Sequence, residues 1–304
     1  MSVTINTNVD SLKIQGNLTS ATSGLAKAMQ RMSNGMKISS AKDDAAGSVI
    51  SSRMLVQLDG NKICQNNIQN ANSLMSTAEG YLDVVLDNVT RIRDLTLEVK
   101  NGTYSNEEAA AVQQEVKDRL AEIDRVSNSA KFSQLYLFED AALKEHGITF
   151  QVGQNAEQKD GEGKYKSDNI IEGNKKIFDS VKFSALTNIT GGFNLADIKK
   201  KDNGDNTVTT NYTSLNMALE KLDNAIDNLT ERKSLIGSAQ SRLESALDTL
   251  TTQYTNLSSA KSIITDADIA EEASAYTQNQ ILQQVATSLL AQANQAPAVA
   301  LSLI

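Results

Sequence analysis

Apolar residues recur along much of this chain at alternating steps of four and three, the spacing that lines one seam of a helix. A first run is Ile14, Leu18, Ala21, Leu25, Ala28 and Met32. A second takes Leu74, Ala78, Tyr81, Val85, Asn88, Ile92, Leu95 and Val99, inside a helical stretch that starts near Asp44. A third, shorter run uses Val112, Val116, Leu120 and Ile123. Its start carries Ser105 and, three residues on, Glu108, the pairing in which each side chain satisfies the other residue's backbone N–H. The fourth is the most regular: Leu215, Leu219, Leu222, Ile226, Leu229, Lys233, Ile236, Gln240, Leu243, Leu247, Leu250, Tyr254, Leu257, Lys261 and Ile264. Only Lys233, Gln240 and Lys261 break its apolar character. At 1.5 Å per residue such a helix is roughly 75 Å long. It therefore needs partners packed along its length, and the other seams are the ones available.

Helices are predicted near 44–100, 105–129 and 212–264. A last one is predicted from Thr265, with Asp266 and Asp268 in the first turn, where the helix dipole favours anions. It carries Leu282, Val285, Leu289 and Ala293 on one face and is expected to stop before Pro297. The middle of the chain differs. It holds Gly161, Gly163, Gly173, Gly191, Gly192 and Gly204, with alternating stretches ITFQVG from Ile148 and KIFDSVKF from Lys176, so strands and turns are predicted there. The expected fold is mainly α: an elongated bundle of long coiled-coil-like helices from both chain ends, with a small β- and turn-rich central segment. Its predicted domains are 1–42 with 265–304, 43–140 with 212–264, and the surface-facing segment 141–211.

Composition supports this. There is no Trp, 4% of residues are aromatic, and one Pro and 16 Gly in 304 residues leave long helices uninterrupted. A net charge of −8 argues against nucleic acid and against anionic membrane surfaces. No apolar run is long enough for a membrane-spanning helix, and MSVTINTNVDSL lacks the features of a secretory signal, so these rules alone predict a cytoplasmic protein. Charge is also unevenly spread. Ala273 to Ile304 holds no charged residue, and the first thirty residues hold only Asp10, Lys13 and Lys27. Amphipathic helices with so little charge are expected to be buried against copies of themselves, with Leu18, Leu25, Met29, Val285, Leu289 and Leu290 as the assembly residues; a loosely ordered tail is the alternative.

Catalytic chemistry is missing. His146 is the only histidine and Cys64 the only cysteine, so neither a zinc-helix motif nor a disulfide framework can be built, and no glycine-rich phosphate loop occurs. Asp43 and Asp44 read as helix-start carboxylates. No enzyme activity, cofactor or metal is expected.

Several motifs carry a family resemblance. RMSNGMKISSAKDDAAG, Arg31 to Gly47, resembles the flagellin signature R-L-S-S-G-x-R-I-N-S-A-x-D-D-A-A-G, and Ile5 to Asn8 is similar to that family's N-terminus. ITDADIAEE from Ile264 and QILQQVATSLLAQANQAP from Gln280 resemble its C-terminal signature, and RLAEIDRVSNSAKF from Arg119 its third helix. The resemblance covers roughly 1–140 and 212–304 and departs after Phe132, where Ser133-Gln134 replaces the family's Asn-Gly. It implies a secreted filament subunit exported through a type III apparatus without a signal peptide. It implies partners too: other copies of the chain, an export chaperone on the C-terminal helix, a filament cap and hook-associated proteins. By resemblance a patch for the Toll-like flagellin receptor would use Arg91 and Leu95, in TRIRDLTLE, and Glu115, in QQEVKDRL. The alternative within the superfamily is a hook–filament junction protein.

Overall fold

The computed structural model describes residues 8–101, 103–139, 148–154, 170–173 and 212–301. These are mainly helical. α1 is Val9–Asn34, α2 Ala45–Lys100, α3 Asn106–Ser129, α4 Tyr212–Thr265 and α5 Ile269–Leu301. Local sequence explains most of the boundaries. Asn8 caps α1 by accepting from the Ser11 N–H at 3.0 Å, and Gly35 ends it with φ 66°, a left-handed conformation that costs glycine nothing. Asp44 caps α2 through the Ala46 and Gly47 N–H groups, each at 3.0 Å. The predicted Ser105–Glu108 box is present in both directions, at 2.6 and 3.3 Å.

The last helix departs from expectation at both ends. Thr265 closes α4, and Asp268, not Thr265, opens α5, its carboxylate accepting from the Ala270 N–H at 2.8 Å. At the other end α5 continues through Pro297 to Leu301. Proline in a helix removes the N–H that would serve the carbonyl four residues back. Here that carbonyl, Ala293, accepts from the Asn8 side-chain amide at 2.8 Å.

The chain divides into two compact units, one comprising residues up to Asp59 with those from Gln253, the other Gly60–Thr252. The second unit is a bundle of α2, α3 and α4. Its core takes Leu74, Met75, Ala78, Leu82, Val85, Val89, Ile92 and Leu95 from α2, Val116, Leu120, Ile123 and Val126 from α3, and Leu222, Leu229 and Ile236 from α4. Burying each large side chain contributes about 1.5–3 kcal/mol. The buried stripe on α2 is wider than a single seam because it meets two helices. A second cluster joins Cys64, Ile68 and Ala71 to Leu243 and Leu250. Burial pushes the Cys64 thiol pKa up, which suits an inert packing residue. Two of the three polar seam positions of α4 find partners on α2: Lys233 pairs with Asp83, and Gln240 donates to Ser76 Oγ at 3.2 Å.

Strands were expected mainly within 140–211, yet a hairpin lies directly after α3. β1 is Lys131–Phe132 and β2 Leu135–Tyr136, antiparallel with Phe132 opposite Leu135. Ser133 in its two-residue turn has φ 56°. The hairpin delivers Leu137 and Phe138 to the core, both fully buried. In the middle of the chain, β3 (Ile148–Gln151) pairs antiparallel with β4 (Ile170–Gly173), as ITFQVG predicts for the first of them. Phe150 and Val152 pack on the Cys64 cluster. The KIFDSVKF stretch and His146 lie outside the described residues.

Candidate assembly surface of the terminal helices

Within the first unit α1 and α5 run antiparallel, joined by a ladder of polar contacts. Ser11 Oγ donates to Asn294 Oδ1 at 3.0 Å, Gln283 Nε2 to Thr22 Oγ1 at 3.4 Å, and Arg31 Nη1 to Glu272 Oε1 at 2.8 Å. Gly24 brings the helices close: a Cβ there would stand 2.7 Å from Asn279 Oδ1. Both members of the Arg31–Glu272 pair are largely buried, which a charge tolerates only when paired.

Residues of the Arg31–Gly47 motif build the base of this pair. The turn after α1 and the turn before α5 bond to each other: Lys37 N–H donates to Thr265 O at 2.7 Å, and Ala267 N–H to Gly35 O at 2.9 Å. Asp43 and Asp44, both read as helix-start carboxylates, divide the work. Asp44 caps α2, whereas Asp43 closes the connector, accepting from Ser40 Oγ at 3.1 Å and Ser39 Oγ at 3.2 Å beside Lys27 at 3.4 Å. The Ser40 hydroxyl is the main reason the Asp43 carboxyl is held below its usual range. Asp266 is held down likewise, first by Ser262 and then by Thr265. Gly47 packs closely here: a Cβ would fall 2.6 Å from both Asp44 Oδ2 and Ile38 Cδ1, so the ends of both side chains would have to shift.

What the pair covers is small. Among the described residues of this unit, the buried apolar side chains are Ala21, Ala28, Leu58 and Ala286. Of the six predicted assembly residues, Leu18, Leu25 and Leu290 are half-buried, while Met29, Val285 and Leu289 are 50%, 47% and 46% exposed. Val9, Leu12, Ile281 and Leu282 are exposed as well; the uncharged stretch from Ala273 could have flagged Ile281 and Leu282, whereas Val9 and Leu12 stand beside Asp10 and Lys13. Ile14, Ala21, Leu282, Val285 and Leu289, with Asn17, Ser20 and Asn279, line a groove of about 400 Å³. An uncovered apolar face without charge can do one thing well, which is to pack against another such face.

Arg91 and Glu115 do come together. Arg91 Nε lies 3.4 Å from Glu115 Oε1, and Arg119 Nε donates to the same oxygen at 3.1 Å. The Arg119 hydrogen bond is the main cause of a lowered Glu115 pKa. Leu95 does not join them on the surface: it is 1% exposed, because the α2 seam claims it for the core.

The fold is one of long paired helices, with an uncovered and nearly uncharged apolar face on α1 and α5. Residues 5–142 match the bacterial flagellin N-terminal helical region, and residues 219–304 match the bacterial flagellin C-terminal helical region. A flagellin of Xenorhabdus nematophila is 36% identical over 332 aligned positions, covering 100% of both chains. Flagellin 1 of Proteus mirabilis is 36% identical over 182, spanning 59% of this chain and 49% of its own. The fold resembles that of a putative flagellar hook-associated protein from Vibrio parahaemolyticus, with TM-score 0.55 and 16% identity over 73% of this chain and 99% of the other. The chain belongs to the bacterial flagellin family. Among the described residues no helix is long and apolar enough to cross a membrane.

Proposed function

We propose that this chain is a secreted structural subunit that polymerises through α1 and α5 into the extracellular flagellar filament. The observation that carries this reading is the α1–α5 pair itself, which leaves Met29, Val285 and Leu289 uncovered on helices almost without charge. Burial of each in a lattice contributes up to about 1.5–3 kcal/mol, repeated at every subunit. Electron microscopy of the purified chain tests it: open-ended filaments are expected. Short rings or stubs that stop growing would favour a hook–filament junction protein, a reading kept in view by the likeness to a hook-associated fold.

The same reading has the chain leave the cell through a type III apparatus. An export chaperone covers the apolar face of α5 beforehand, and filament cap and hook-associated proteins meet the polymer's ends. A second surface, Arg91 with Glu115, is exposed on α2 and α3 and matches the family's Toll-like receptor patch without the buried Leu95. Reporter cells that respond equally to wild type and to Arg91→Ala with Glu115→Ala would remove that assignment.

A further inference from the structure

β3 and the three residues after it lie along α2 as a strap. Asn67 Nδ2 donates to Gln151 O at 3.4 Å, and Gln154 reaches Gly60, where a Cβ would stand 3.1 Å from Gln154 Cβ. These two contacts are seven residues apart on the helix and three apart on the strap. At 1.5 Å per helical residue and about 3.3 Å per extended one, both spans come to roughly 10 Å. The strap therefore runs straight along two turns of α2, in the opposite direction. Cys64 lies one turn from each contact and is buried, and Phe150 and Val152 pack on its cluster.

The far end of the strap holds an unmet demand. Asn61 is fully buried, continuing the stripe of Cys64, Ile68 and Ala71, and neither its Nδ2 nor its Oδ1 has a hydrogen-bond partner. Gln154 Oε1, against Gly60 next along the helix, is buried and unpartnered as well. Each such atom carries its desolvation penalty without return. The three atoms are complementary: one donor and an acceptor on Asn61, and an acceptor on Gln154. Only a group with both a carbonyl oxygen and an N–H meets the two Asn61 atoms together, and the Gln154 side chain is such a group.

We propose that Asn61 and Gln154 close amide to amide, a latch that fastens the 148–154 strap over Cys64. Asn61 Nδ2 donates to Gln154 Oε1, and Gln154 Nε2 donates to Asn61 Oδ1, so one reciprocal pair satisfies all three atoms. The latch fixes where the middle of the chain meets the helical bundle. It lies wholly within the second unit and holds whether or not the chain forms filaments.

Cys64 reports on the latch, because its thiol is reached when the strap lifts. It is the only cysteine, so a maleimide labels one site on the full-length monomer. Asn61→Leu and Gln154→Met keep side-chain size and remove one amide each, stranding the other. Each should quicken labelling roughly fivefold or more, the worth of a net hydrogen bond or greater. The double variant should fall back toward wild type, since removing both partners leaves nothing unpaired. Gln154→Met alters only the strap, so it decides the question even where Asn61→Leu weakens the bundle. Single variants that label at the wild-type rate overturn the latch. So does a double variant whose effect is the product of the two singles, the mark of amides acting independently. Slower labelling in Asn61→Leu overturns it too, because the amide would then have no partner to lose. Labelling as steeply denaturant-dependent as the melt itself overturns the strap, since Cys64 would then open only with the whole bundle.

Discussion

The side-chain amide of Asn8 serves both helices of the terminal pair: its oxygen caps α1 at Ser11, and its nitrogen donates at 2.8 Å to Ala293 O, the acceptor left open by Pro297. Asn8→Ala should therefore loosen two ends at once. Loss of an N-cap costs about 1 kcal/mol, and the last turns of α5 lose the donor that lets them pass the proline. Asn8→Ser keeps a capping oxygen but has no amide to reach Ala293. Hydrogen exchange should show both ends unprotected in Asn8→Ala and only the end of α5 unprotected in Asn8→Ser. Equal protection of α5 in all three proteins would contradict the bridge.

Ser133 holds φ 56° in a turn where the family has Asn-Gly. A left-handed conformation costs a non-glycine residue roughly 1–2 kcal/mol, part of which Asn or Gly avoids. Ser133→Gly and Ser133→Asn should each raise the melting temperature of the 60–252 bundle, by up to about 1 kcal/mol of added stability. A drop in melting temperature for both would show that Ser133 makes a contribution its backbone angle hides.

Acid should act on the connector. Hydrogen bonds from Ser40 to Asp43 and from Ser262 to Asp266 hold both carboxyls below their ordinary value of 3.8. A pKa lower in the folded state means the ionised form is favoured there. The stabilisation is thus complete above 3.8 and drains as pH falls through the lower folded values. The protection of the Lys37 and Ala267 amides, relative to their intrinsic exchange rates at each pH, should fall in that window, and Asp266→Asn should remove much of the pH dependence. Protection that is flat from about pH 5 to pH 2 would rule out this role.

The sequence carried the long helices because the four-three alternation from Leu215 to Ile264 reflects one continuous line of contact. It did not reveal Met75, Leu82 and Val89, because a seam describes one partner and α2 buries a face against two helices. The hairpin at 131–136 was hidden for a different reason: strands of two residues leave no alternation to detect. Pro297 misled as a helix stop because the carbonyl it leaves open, Ala293, is served by Asn8, 285 positions earlier in the chain. Lys233 and Gln240 were visible as breaks in the seam, yet nothing local named Asp83 and Ser76 as their partners. Leu95 was assigned both to the seam and to a surface patch, and packing allowed only the first. Among the assembly residues, sequence located the helices but could not say which side chains the α1–α5 pairing would cover.

The sharpest separation between folding and assembly lies at Leu289. In the monomer its side chain is half exposed on α5, so Leu289→Asp removes little buried area and should change folding by no more than about 0.5 kcal/mol. In a filament the same carboxylate would be enclosed against a neighbour's apolar face, where an unpaired charge costs several kcal/mol at every subunit. Arg31, the cation seen on the α1–α5 interface, is already taken by Glu272. Removing residues 273–304 goes further: it takes away most of α5 and leaves α1 without its partner, while the core at Leu82, Ile123 and Ile236 belongs to the other unit. Both variants should keep the cooperative melt of the 60–252 bundle by circular dichroism, and both should remain unsedimented under conditions where wild type forms filaments. Charge at Leu289 should be fatal and Leu289→Met tolerated, because the second change conserves volume and polarity. Filaments growing from the truncated chain would refute the terminal helices as the assembly device, whatever the variants at Leu289 do.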